Sequence, residues 1–421
     1  MNKTIWILNH YAGNMFIVGG GRHYYFSKYL LKNGYSPIIF CSNFDHFTSS
    51  CCVDDMNEWA EKIEEKTGVP YIFVRTRSYT SNGIDRVKNM IDYYKGVLKL
   101  AKDYAKKNGK PDIIYASSVH PLALVAGIKI AKMFNVKCVC EVRDLWPESI
   151  VEYSKRYSKR NPIIKLLYAG EKWIYKKADS IIFLEEGDYD YIREQGWEQI
   201  IPKSKVFCIS NGVDLKEFTE NRENYTIKDE DLENRDVFKV VYTGSIRQVN
   251  DIGLLIDTAK KVLDPKIRFL IWGRGDQLGE LEKRKEKENV NNIVFKGYVD
   301  KKYVPYITSN ADLNIVHNAP MKLFRFAISF NKIFDYMAAG KPIICDFSCP
   351  YNPVIMNNAG IDVKNPDPQA IARAIELCAS MDMDTYEMYC KHSIEGAKKY
   401  DYESLTNKLI DVIEGKAPSI C

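Results

Sequence analysis

The sequence predicts two doubly wound α/β domains in tandem. Short runs rich in β-branched and aromatic residues alternate with longer segments of helical spacing, which is typical of parallel sheets covered by helices on both faces. The alternation is interrupted once, by a polar and acidic stretch that ends near Asp236, and then begins again. At 421 residues the chain is also long enough for two domains.

In the first half, the predicted strands are separated by helical segments. A glycine run, Gly19-Gly20-Gly21, leads into the helical segment RHYYFSKYLLKNG, which stops at Gly34, and a second helix is predicted from about Pro121 to Phe134. The predicted strands are TIWILNH, SPIIFCS, YIFVRT, DIIYASS and VKCVCEVRD.

The second half repeats this pattern with the strands FKVVYTGS, IRFLIWG, NIVFKGYV, ADLNIVH, KPIICDF and GIDV. We place the domains at 1–212 and 213–395, and we expect the helical segment 396–421 to pack back on the first domain. Ligands of open α/β sheets bind beyond the carboxyl ends of the strands, so two such sheets would face a central cleft. Residues that directly follow strands are therefore the candidates for function.

Composition is that of a globular enzyme, with 46% apolar and 27% charged residues and a net charge of +5. The 11 cysteines lack the spacing of a zinc site, and Asp188-Tyr-Asp190 looks like the start of a helix, so we expect no metal and no cofactor. No apolar run is long enough to span a membrane, and the start lacks the pattern of a signal peptide, which favours a cytoplasmic protein. Nucleic-acid binding has little support, because the basic residues are concentrated in one segment.

The segment FRFAISFNKIFDYMAAGKPII places one carboxylate, Asp335, in an otherwise apolar helix. Such a carboxylate can accept both hydroxyls of a ribose. Lys332 lies on the same helical face, and the backbone N–H groups near Ser329 and Asn331 would favour a phosphate at the helix start. The pattern predicts a site for a nucleoside diphosphate; the alternative is an ion pair between Lys332 and Asp335 on a solvated helix.

Two further candidates follow strands. In VYTGSIRQVND, Gly244 ends a strand and Arg247 could hold phosphate oxygens, although an exposed loop arginine is the alternative. His120 follows DIIYASS and could contact a sugar or handle a proton, although a hydrogen-bonded core histidine is equally compatible with the pattern.

The segment EVRDLWPES also follows a strand and concentrates polar residues. Asp144 could orient or deprotonate an acceptor hydroxyl, and Arg143 and Glu148 could bind the substrate. Helix capping and loop packing are the alternative. The GRGDQLG segment, from Gly273 to Gly279, has one residue too many for a dinucleotide-binding fingerprint, so we attach no function to it.

The segment 151–177 is predicted to form a basic amphipathic helix. Apolar residues recur in it at helical spacing, namely Ile163, Ile164, Leu167 and Ile174. A helix of this kind can lie on an anionic membrane surface. The alternative is a core-facing helix with a solvated lysine face.

Together these segments resemble the family-4 retaining glycosyltransferases of the GT-B fold, in particular the cell-envelope branch of O-antigen and capsule enzymes that includes fucosamine transferases. The resemblance extends over nearly the whole chain. The segments that carry it are GGGRHYYFSKYLLKNGYSPIIF, EVRDLWPES, ISNGVDLKEF, VYTGSIRQVND and FRFAISFNKIFDYMAAGKPII. It implies two Rossmann-like domains, with the donor nucleotide sugar in the C-terminal domain and the acceptor in the N-terminal domain.

The resemblance also implies roles for single residues. His120 matches the histidine that contacts the donor sugar near its anomeric centre, and Asp335 matches the second acid of the family's E-x7-E motif. Arg247 falls in the loop that supplies cations to the diphosphate, and the glycine run 19–21 would approach the phosphates.

The sequence departs from the family pattern at three positions. Ala327 stands where the first acid of E-x7-E would fall, so that Arg325 or the backbone at Ser329 would replace its contacts. Ser245 and Asn250 stand where the arginine and the lysine of the phosphate loop would fall.

The resemblance implies metal-independent, retaining transfer of a sugar, an N-acetylated or deoxy amino sugar, from a UDP-sugar. The acceptor would be a lipid-linked saccharide at the inner face of the cytoplasmic membrane. Three alternatives remain open. They are a nucleotide-sugar epimerase of the same fold, a nicotinamide-dependent oxidoreductase, and a catalytically inactive nucleotide-sugar-binding subunit.

Overall fold

The computed structural model describes residues 2–46, 48–54, 56–81, 83–118, 120–153, 157–326 and 328–418. Ala327 and residues 154–156 of the basic segment therefore lie outside the described residues. The chain forms two compact units, Met1–Ser210 with Leu405–Cys421, and Asn211–Ser404. Within the described part of the chain, no helix is both long enough and apolar enough to cross a lipid bilayer.

The first unit contains one large sheet and a short hairpin-like pair. Its strands are β1 (Thr4–Leu8), β2 (Ser36–Ser42), β3 (Phe44–Asp45), β4 (Ser50–Cys51), β5 (Trp59–Ile63), β6 (Pro70–Val74), β7 (Ile113–Ser118), β8 (Lys137–Val142), β9 (Ser180–Phe183) and β10 (Val206–Cys208). The sheet has the order β10-β9-β8-β7-β1-β2-β6-β5, and β3 pairs separately with β4. All pairs in the large sheet are parallel except β5 with β6.

Helices connect these strands. They are α1 (Gly13–Val18), α2 (Arg22–Lys32), α3 (Ile84–Asn108), α4 (Pro121–Phe134), α5 (Trp146–Tyr153), α6 (Pro162–Lys177) and α7 (Asp188–Glu194). The boundaries of α4 follow from its sequence. Pro121 occupies the first turn, where its missing N–H costs nothing, and Asn135 ends the helix in the left-handed conformation.

The second unit contains a parallel sheet of β11 (Phe238–Ser245), β12 (Ile267–Arg274), β13 (Ile293–Gly297), β14 (Leu313–Val316), β15 (Ile343–Cys345) and β16 (Gly360–Asp362). Its order is β13-β12-β11-β14-β15-β16. The order reverses between β11 and β14, and ligands of doubly wound sheets bind at such a switch point. In the first unit the order reverses in the same way between β1 and β7.

The remaining helices are α8 (Leu215–Asn224), α9 (Glu230–Glu233), α10 (Ile252–Ala259), α11 (Leu278–Lys287), α12 (Val304–Ser309), α13 (Asn331–Ala338), α14 (Pro353–Met356), α15 (Pro368–Ala379), α16 (Met383–Lys399) and α17 (Tyr402–Glu414). Helix α13 matters most for the site. Ile333, Phe334, Tyr336 and Met337 are buried. The Tyr336 hydroxyl accepts a hydrogen bond from the Thr243 backbone N–H at 2.8 Å, which ties α13 to the end of β11.

The prediction of two doubly wound α/β domains is confirmed, and each predicted strand is present. The division of the chain differs from the predicted boundaries, since residues 211–212 and 396–404 lie in the second unit. The reason is local packing. Val213 bridges to Asp401, and Ala397 is buried in the same apolar cluster as Phe334.

Candidate functional site

A pocket of about 640 Å³ opens at the carboxyl ends of β11, β12 and β13 and at the start of α13 in the second unit. This volume lies in the range of ligand pockets. The predicted site residues that line it are Gly244, Arg247, Ser329, Asn331, Lys332 and Asp335. The structure thus brings together residues that are up to 91 positions apart in the chain, on β11, the loop after it and α13.

Charge in the pocket is mainly positive. Among the described residues that line it, the cations are Arg247, Arg274, Lys301 and Lys332, and Asp335 supplies the carboxylate. Four cations around one cavity favour an anionic ligand, because their mutual repulsion is relieved when a negative charge binds between them.

Lys332 lies against the end of β11. Its Nζ donates a hydrogen bond to the Tyr242 hydroxyl at 2.9 Å and lies 4.1 Å from the centre of that ring. Burial lowers the pKa of Lys332 to about 7, and the carboxylate of Asp346 opposes this shift. The lysine can therefore change its charge near neutral pH when an anion enters the pocket.

Asp335 does not form the ion pair with Lys332 that was the alternative interpretation of their spacing. The cation that acts on its carboxylate is Lys301, from the segment after β13. Burial raises the pKa of Asp335 and Lys301 opposes this shift, while Asp335 raises the pKa of Lys301. Asp335 therefore stays available to the pocket, where a hydroxyl could donate to it.

Glycines allow the ends of β11 and β12 to come close together. A Cβ atom at Gly273 would lie 1.8 Å from the carbonyl oxygen of Gly244, and one at Gly244 would lie 3.0 Å from Lys332 Nζ. Any side chain at these positions would push the strands apart or cover the lysine. The start of the glycine segment to which the sequence assigned no function, Gly273 and Arg274, thus lines the pocket.

The loop after β11 departs from the family pattern at Ser245 and Asn250, which form hydrogen bonds within the protein. Ser245 Oγ donates to Asn250 Oδ1 at 2.9 Å, and Asn250 Nδ2 donates to Asn318 Oδ1 at 3.2 Å. These hydrogen bonds hold the loop in place. Arg247, between the two positions, is exposed at the rim of the pocket.

The segment before α13 is fixed by Asn211 of the ISNGVD sequence. The Asn211 backbone N–H donates to Ser329 Oγ at 2.9 Å, and Asn211 Nδ2 donates to the Ser329 carbonyl at 2.8 Å. Helix α13 starts two residues later without a side-chain cap, so its first N–H groups are available to a ligand in the pocket.

Arg325 lies elsewhere. Its side chain is exposed, donates to the Lys322 carbonyl at 2.8 Å and rests on the Phe326 ring at 4.1 Å. It is not among the described residues that line the pocket. The prediction that Arg325 replaces the first acid is therefore not supported by its position.

His120 follows β7 in the first unit and is fully buried. Its Nε2 lies 2.5 Å from Nδ1 of His10, which follows β1, so the two histidines meet at the switch point of this sheet. Burial lowers the pKa of His120 to about 3, with a smaller contribution from Arg86. His120 Nδ1 is buried without a hydrogen-bond partner among the described residues.

The glycine run 19–21 links α1 to α2, and Gly19 and Gly21 have φ angles of 61° and 115°. Arg22, the first residue of α2, anchors this link. Its Nε donates to Glu141 Oε2 at 2.8 Å, and its other nitrogens donate to the Ile209 and Ser210 carbonyls at 2.7 and 2.5 Å. Burial raises the pKa of Glu141, but Arg22 and His23 outweigh it and hold that pKa well below its usual range.

The predicted residues after β8 have different surroundings. The Arg143 backbone N–H donates to Ser118 Oγ at 2.9 Å, two residues before His120, and Asp144 is exposed. Glu148 is buried, accepts from the Tyr168 hydroxyl at 2.5 Å and pairs with Lys159 at 2.9 Å. These contacts match the packing alternative for Glu148, whereas Arg143 and Asp144 directly follow the carboxyl end of β8.

The prediction of one helix over 151–177 is wrong in extent, because the described residues 157–161 are not helical and helix α6 begins at Pro162. Helix α6 has two apolar sides. Ile164 and Ile174 are buried, as a core-facing helix requires, whereas Ile163 is 61% exposed. The predicted single apolar face is therefore divided, because residues one position apart point in directions about 100° apart.

Two family models match the chain. The model described as Glycosyltransferase Family 4 matches residues 19–217, and the model described as Glycosyl transferases group 1 matches residues 237–380. No curated protein matches. The chain is a glycosyltransferase of the GT-B fold. The finer resemblance to the fucosamine-transferase branch stays a prediction.

Solved structures of the same fold resemble this glycosyltransferase at low identity. Sucrose-phosphate synthase from Thermosynechococcus elongatus has 18% identity and a TM-score of 0.69, with 98% of both chains covered. HepE from Anabaena in complex with UDP has 13% identity and a TM-score of 0.67, with 98% and 99% covered. The lipopolysaccharide outer core galactosyltransferase WaaB has 12% identity and a TM-score of 0.60, with 98% and 99% covered.

Sequence reasoning missed several residues of the glycosyltransferase that line or approach its sites. Arg274 and Lys301 line the pocket, and the Arg274 guanidinium lies 4.2 Å from the centre of the Tyr298 ring. Arg274 ends β12, so the strand-end rule would have found it. Lys301 lies in a charged, exposed segment, and no local signal separates it from Lys302.

The first unit holds a second set that the sequence did not reveal, an aromatic and histidine cluster beside His120. The Tyr11 ring stacks on His46 at 5.7 Å, Tyr79 hydroxyl and His46 Nδ1 are 3.0 Å apart, and Arg86 Nε donates to the Tyr11 hydroxyl at 3.2 Å. These residues come from separate parts of the chain. Within the described residues, no group of three His, Cys, Asp or Glu side chains could hold a metal ion.

Proposed function

We propose that this glycosyltransferase transfers a sugar from a UDP-sugar to a saccharide acceptor, with retention of the anomeric configuration and without a metal ion. The observation that carries the proposal is the group of four cations, Arg247, Arg274, Lys301 and Lys332, around one pocket at the switch point of the second sheet. A nucleoside diphosphate carries the negative charge that such a pocket attracts. The complex of HepE with UDP, in a protein of the same fold, supports this ligand.

The pocket suggests how the donor would bind. The diphosphate would lie near Lys332 and the first N–H groups of α13, with Arg247 at the rim. The ribose hydroxyls would donate to Asp335. Arg274 and Tyr298 offer a flat pair of groups at the other side of the pocket, against which a base can stack.

In the transfer step, the acceptor oxygen forms a bond to the anomeric carbon while the bond from that carbon to the β-phosphate oxygen breaks. The proton of the acceptor hydroxyl leaves with the departing UDP, so no covalent enzyme nucleophile is required. Negative charge develops on the β-phosphate, and Lys332, Arg247 and the start of α13 would stabilise it in place of a metal.

For the acceptor, we propose a lipid-linked saccharide, to which the enzyme transfers an N-acetylated or deoxy amino sugar in cell-surface polysaccharide synthesis. The outward side of α6 supports a membrane location. Ile163, Leu166 and Trp173 are 61%, 72% and 40% exposed at helical spacing, and exposed Lys165, Lys176 and Lys177 flank them. Apolar side chains bordered by lysines suit an anionic lipid surface. WaaB, a lipopolysaccharide galactosyltransferase of this fold, supports an acceptor of this class.

Calorimetric titration with UDP, GDP, ADP and NAD, in the presence of a metal chelator, tests the donor. We expect selective binding of UDP. Selective binding of GDP would indicate a GDP-sugar as the donor and would leave the proposal of sugar transfer unchanged. Binding of NAD alone would favour an oxidoreductase. A protein that binds none of them contradicts the proposal.

Turnover separates transfer from epimerisation. Purified protein is incubated with UDP-sugars, with and without a membrane extract as the source of acceptor, and UDP release is measured. We expect UDP release that requires the extract. Conversion of the UDP-sugar into an isomer without acceptor would identify an epimerase, and binding without any conversion would identify an inactive subunit.

A further inference from the structure

His317 and Asp346 form a buried pair directly after the adjacent strands β14 and β15. Each residue is 1% exposed, and His317 Nδ1 lies 2.5 Å from Asp346 Oδ2. His317 Nε2 lies 2.8 Å from the carbonyl oxygen of Asp251. A carbonyl only accepts, so Nε2 must carry a hydrogen, and one further proton is held between the imidazole and the carboxylate.

The bond from His317 to the Asp251 carbonyl fixes the phosphate-side loop of the pocket. Asp251 has a φ angle of 48°, a left-handed conformation that a residue with a side chain adopts only when its surroundings hold it there. It ends the turn that begins at Arg247. The Ala319 backbone N–H also donates to the Val249 carbonyl at 3.0 Å, so the segment after β14 holds this loop at two points.

Asp346 also acts on Lys332, which lines the pocket. Its Oδ2 contacts His317, but its Oδ1 is buried and accepts no hydrogen bond from any described residue. Its charge raises the pKa of Lys332 against the effect of burial. A buried carboxylate with one unsatisfied oxygen costs folding free energy, so stability alone does not account for it.

We propose that His317 and Asp346 are positioning residues that prepare both cationic walls of the pocket, the Arg247 loop through the Asp251 carbonyl and Lys332 through the charge of Asp346. The proposal rests on the proposed function in one respect, that the ligand is a diphosphate. Neither residue is among the described residues that line the pocket, so neither is expected to touch the donor. Burial lowers the pKa of His317, but Asp346 and the Asp251 carbonyl outweigh it and hold that pKa above its usual range.

The charged groups around the pair are few. Among the described residues, His317 contacts the Asp251 carbonyl, and the charge of Asp346 acts on Lys332, Tyr242 and Cys345. Asp257 and Arg284 act on Asp251. Because the carboxylate of Asp346 raises the pKa of Lys332, its removal should lower the pH at which the affinity for UDP declines.

The experiment measures the Kd of UDP between pH 6 and pH 9 for the full chain and three variants. Asp346→Asn keeps the shape of the side chain and removes its charge, so we expect about tenfold weaker binding at pH 7.5, or ~1.4 kcal/mol. His317→Gln keeps an N–H near the Nε2 position and His317→Asn does not, so Gln should retain more affinity than Asn.

Asp312→Asn is the control, because Asp312 pairs with Lys239 at 3.1 Å at the opposite end of β14. It should leave both Kd and its pH profile unchanged, whatever its effect on thermal unfolding. If the wild-type protein binds UDP and both Asp346→Asn and the His317 pair bind it equally, with the same pH profile, the positioning role is wrong. If Asp346→Asn does not fold, the comparison of His317→Gln with His317→Asn tests the proposal. Equal Kd values for UDP in these two variants would then contradict the positioning role of His317. A wild-type protein that binds no UDP overturns the proposed function, and this inference with it.

Discussion

His10 Nδ1 and His120 Nε2 lie 2.5 Å apart in the buried interior of the first unit. A hydrogen bond between two imidazoles needs one proton, so one ring donates and the other accepts. Burial lowers the pKa of both rings, to about 3 in His120, with further lowering of His10 by His120 and of His120 by Arg86. At neutral pH both rings are therefore uncharged, so the predicted contact of His120 with a donor sugar would be a hydrogen bond between neutral groups rather than a cationic contact.

The first prediction concerns acid stability. An unfolded histidine binds a proton below about pH 6.5, whereas folded His120 resists it down to a pKa of about 3, so the unfolded state binds more protons in this window. The free energy of unfolding should therefore fall as the pH falls from 6.5, by up to ~1.4 kcal/mol per pH unit for each such histidine. Denaturant unfolding at several pH values measures this change. The free energy of unfolding should depend less steeply on pH in His120→Gln than in the wild-type protein.

His392→Gln serves as the matched control, because His392 lies partly exposed on α16 in the second unit. An unchanged slope in His120→Gln would mean that the buried pair does not resist protonation. If His120→Gln also leaves turnover unchanged, His120 has no part in the transfer step.

The second prediction concerns proton uptake by Lys332. Its pKa of about 7 means that the free lysine is mostly uncharged at pH 8, whereas a bound diphosphate stabilises the ammonium form. UDP binding should therefore take up a proton at pH 8 and almost none at pH 6. Calorimetry in buffers of different ionisation enthalpy measures this uptake directly.

Lys332→Met should bind UDP more weakly and lose the uptake. Arg274→Ala should also bind more weakly but keep the uptake, because a guanidinium stays charged throughout this range. If proton uptake on UDP binding persists in Lys332→Met, the group that takes up the proton is not Lys332.

The third prediction concerns Asp335 and the ribose. A hydrogen bond to a carboxylate contributes ~1.5–3 kcal/mol, so wild-type protein should bind 2′-deoxy-UDP at least tenfold more weakly than UDP. Asp335→Asn should bind UDP more weakly and lose most of this discrimination. The four Kd values form a double-mutant cycle. If both proteins discriminate equally between UDP and 2′-deoxy-UDP, Asp335 does not bind the ribose.

The fourth prediction concerns the outward side of α6. Leu166→Glu places a carboxylate among the exposed apolar side chains and should reduce co-sedimentation with anionic vesicles by about tenfold, because it removes apolar contact and adds repulsion. Leu263→Glu is the control, since Leu263 is 84% exposed in the second unit. Equal binding of wild-type protein to neutral and anionic vesicles, or none to either, would argue against a membrane surface here.

Much of the fold could be predicted from the sequence, because parallel strands such as β7 and β12 are mostly apolar and are buried on both faces along most of their length. The antiparallel edge strand β5 could not, since WAEKI is short, charged and largely exposed. Helix α1 was missed as well, because its six residues are too few for a helical period to appear.

The residues predicted to bind the nucleotide sugar lie in one pocket because each is at the end of a strand, in the loop after it or near the start of α13. His317 and Asp346 obey the same rule and were still missed. Their contact depends on the pairing of β14 with β15, which no local pattern encodes. Arg325 was placed at the site because it is close to Ala327 in the sequence, and it is exposed and not among the described residues that line the pocket.

The chain passes between the two units twice, after Ser210 and within α17 near Leu405. The first unit therefore cannot be produced as a single continuous piece of the polypeptide. A fragment that stops at Ser210 would lack Glu414, which pairs with Lys3 at 2.6 Å and accepts from Tyr35 at 3.0 Å. Supplying residues 405–421 as a separate peptide, or joining them to the fragment through a short linker, is the route by which this unit could be studied alone.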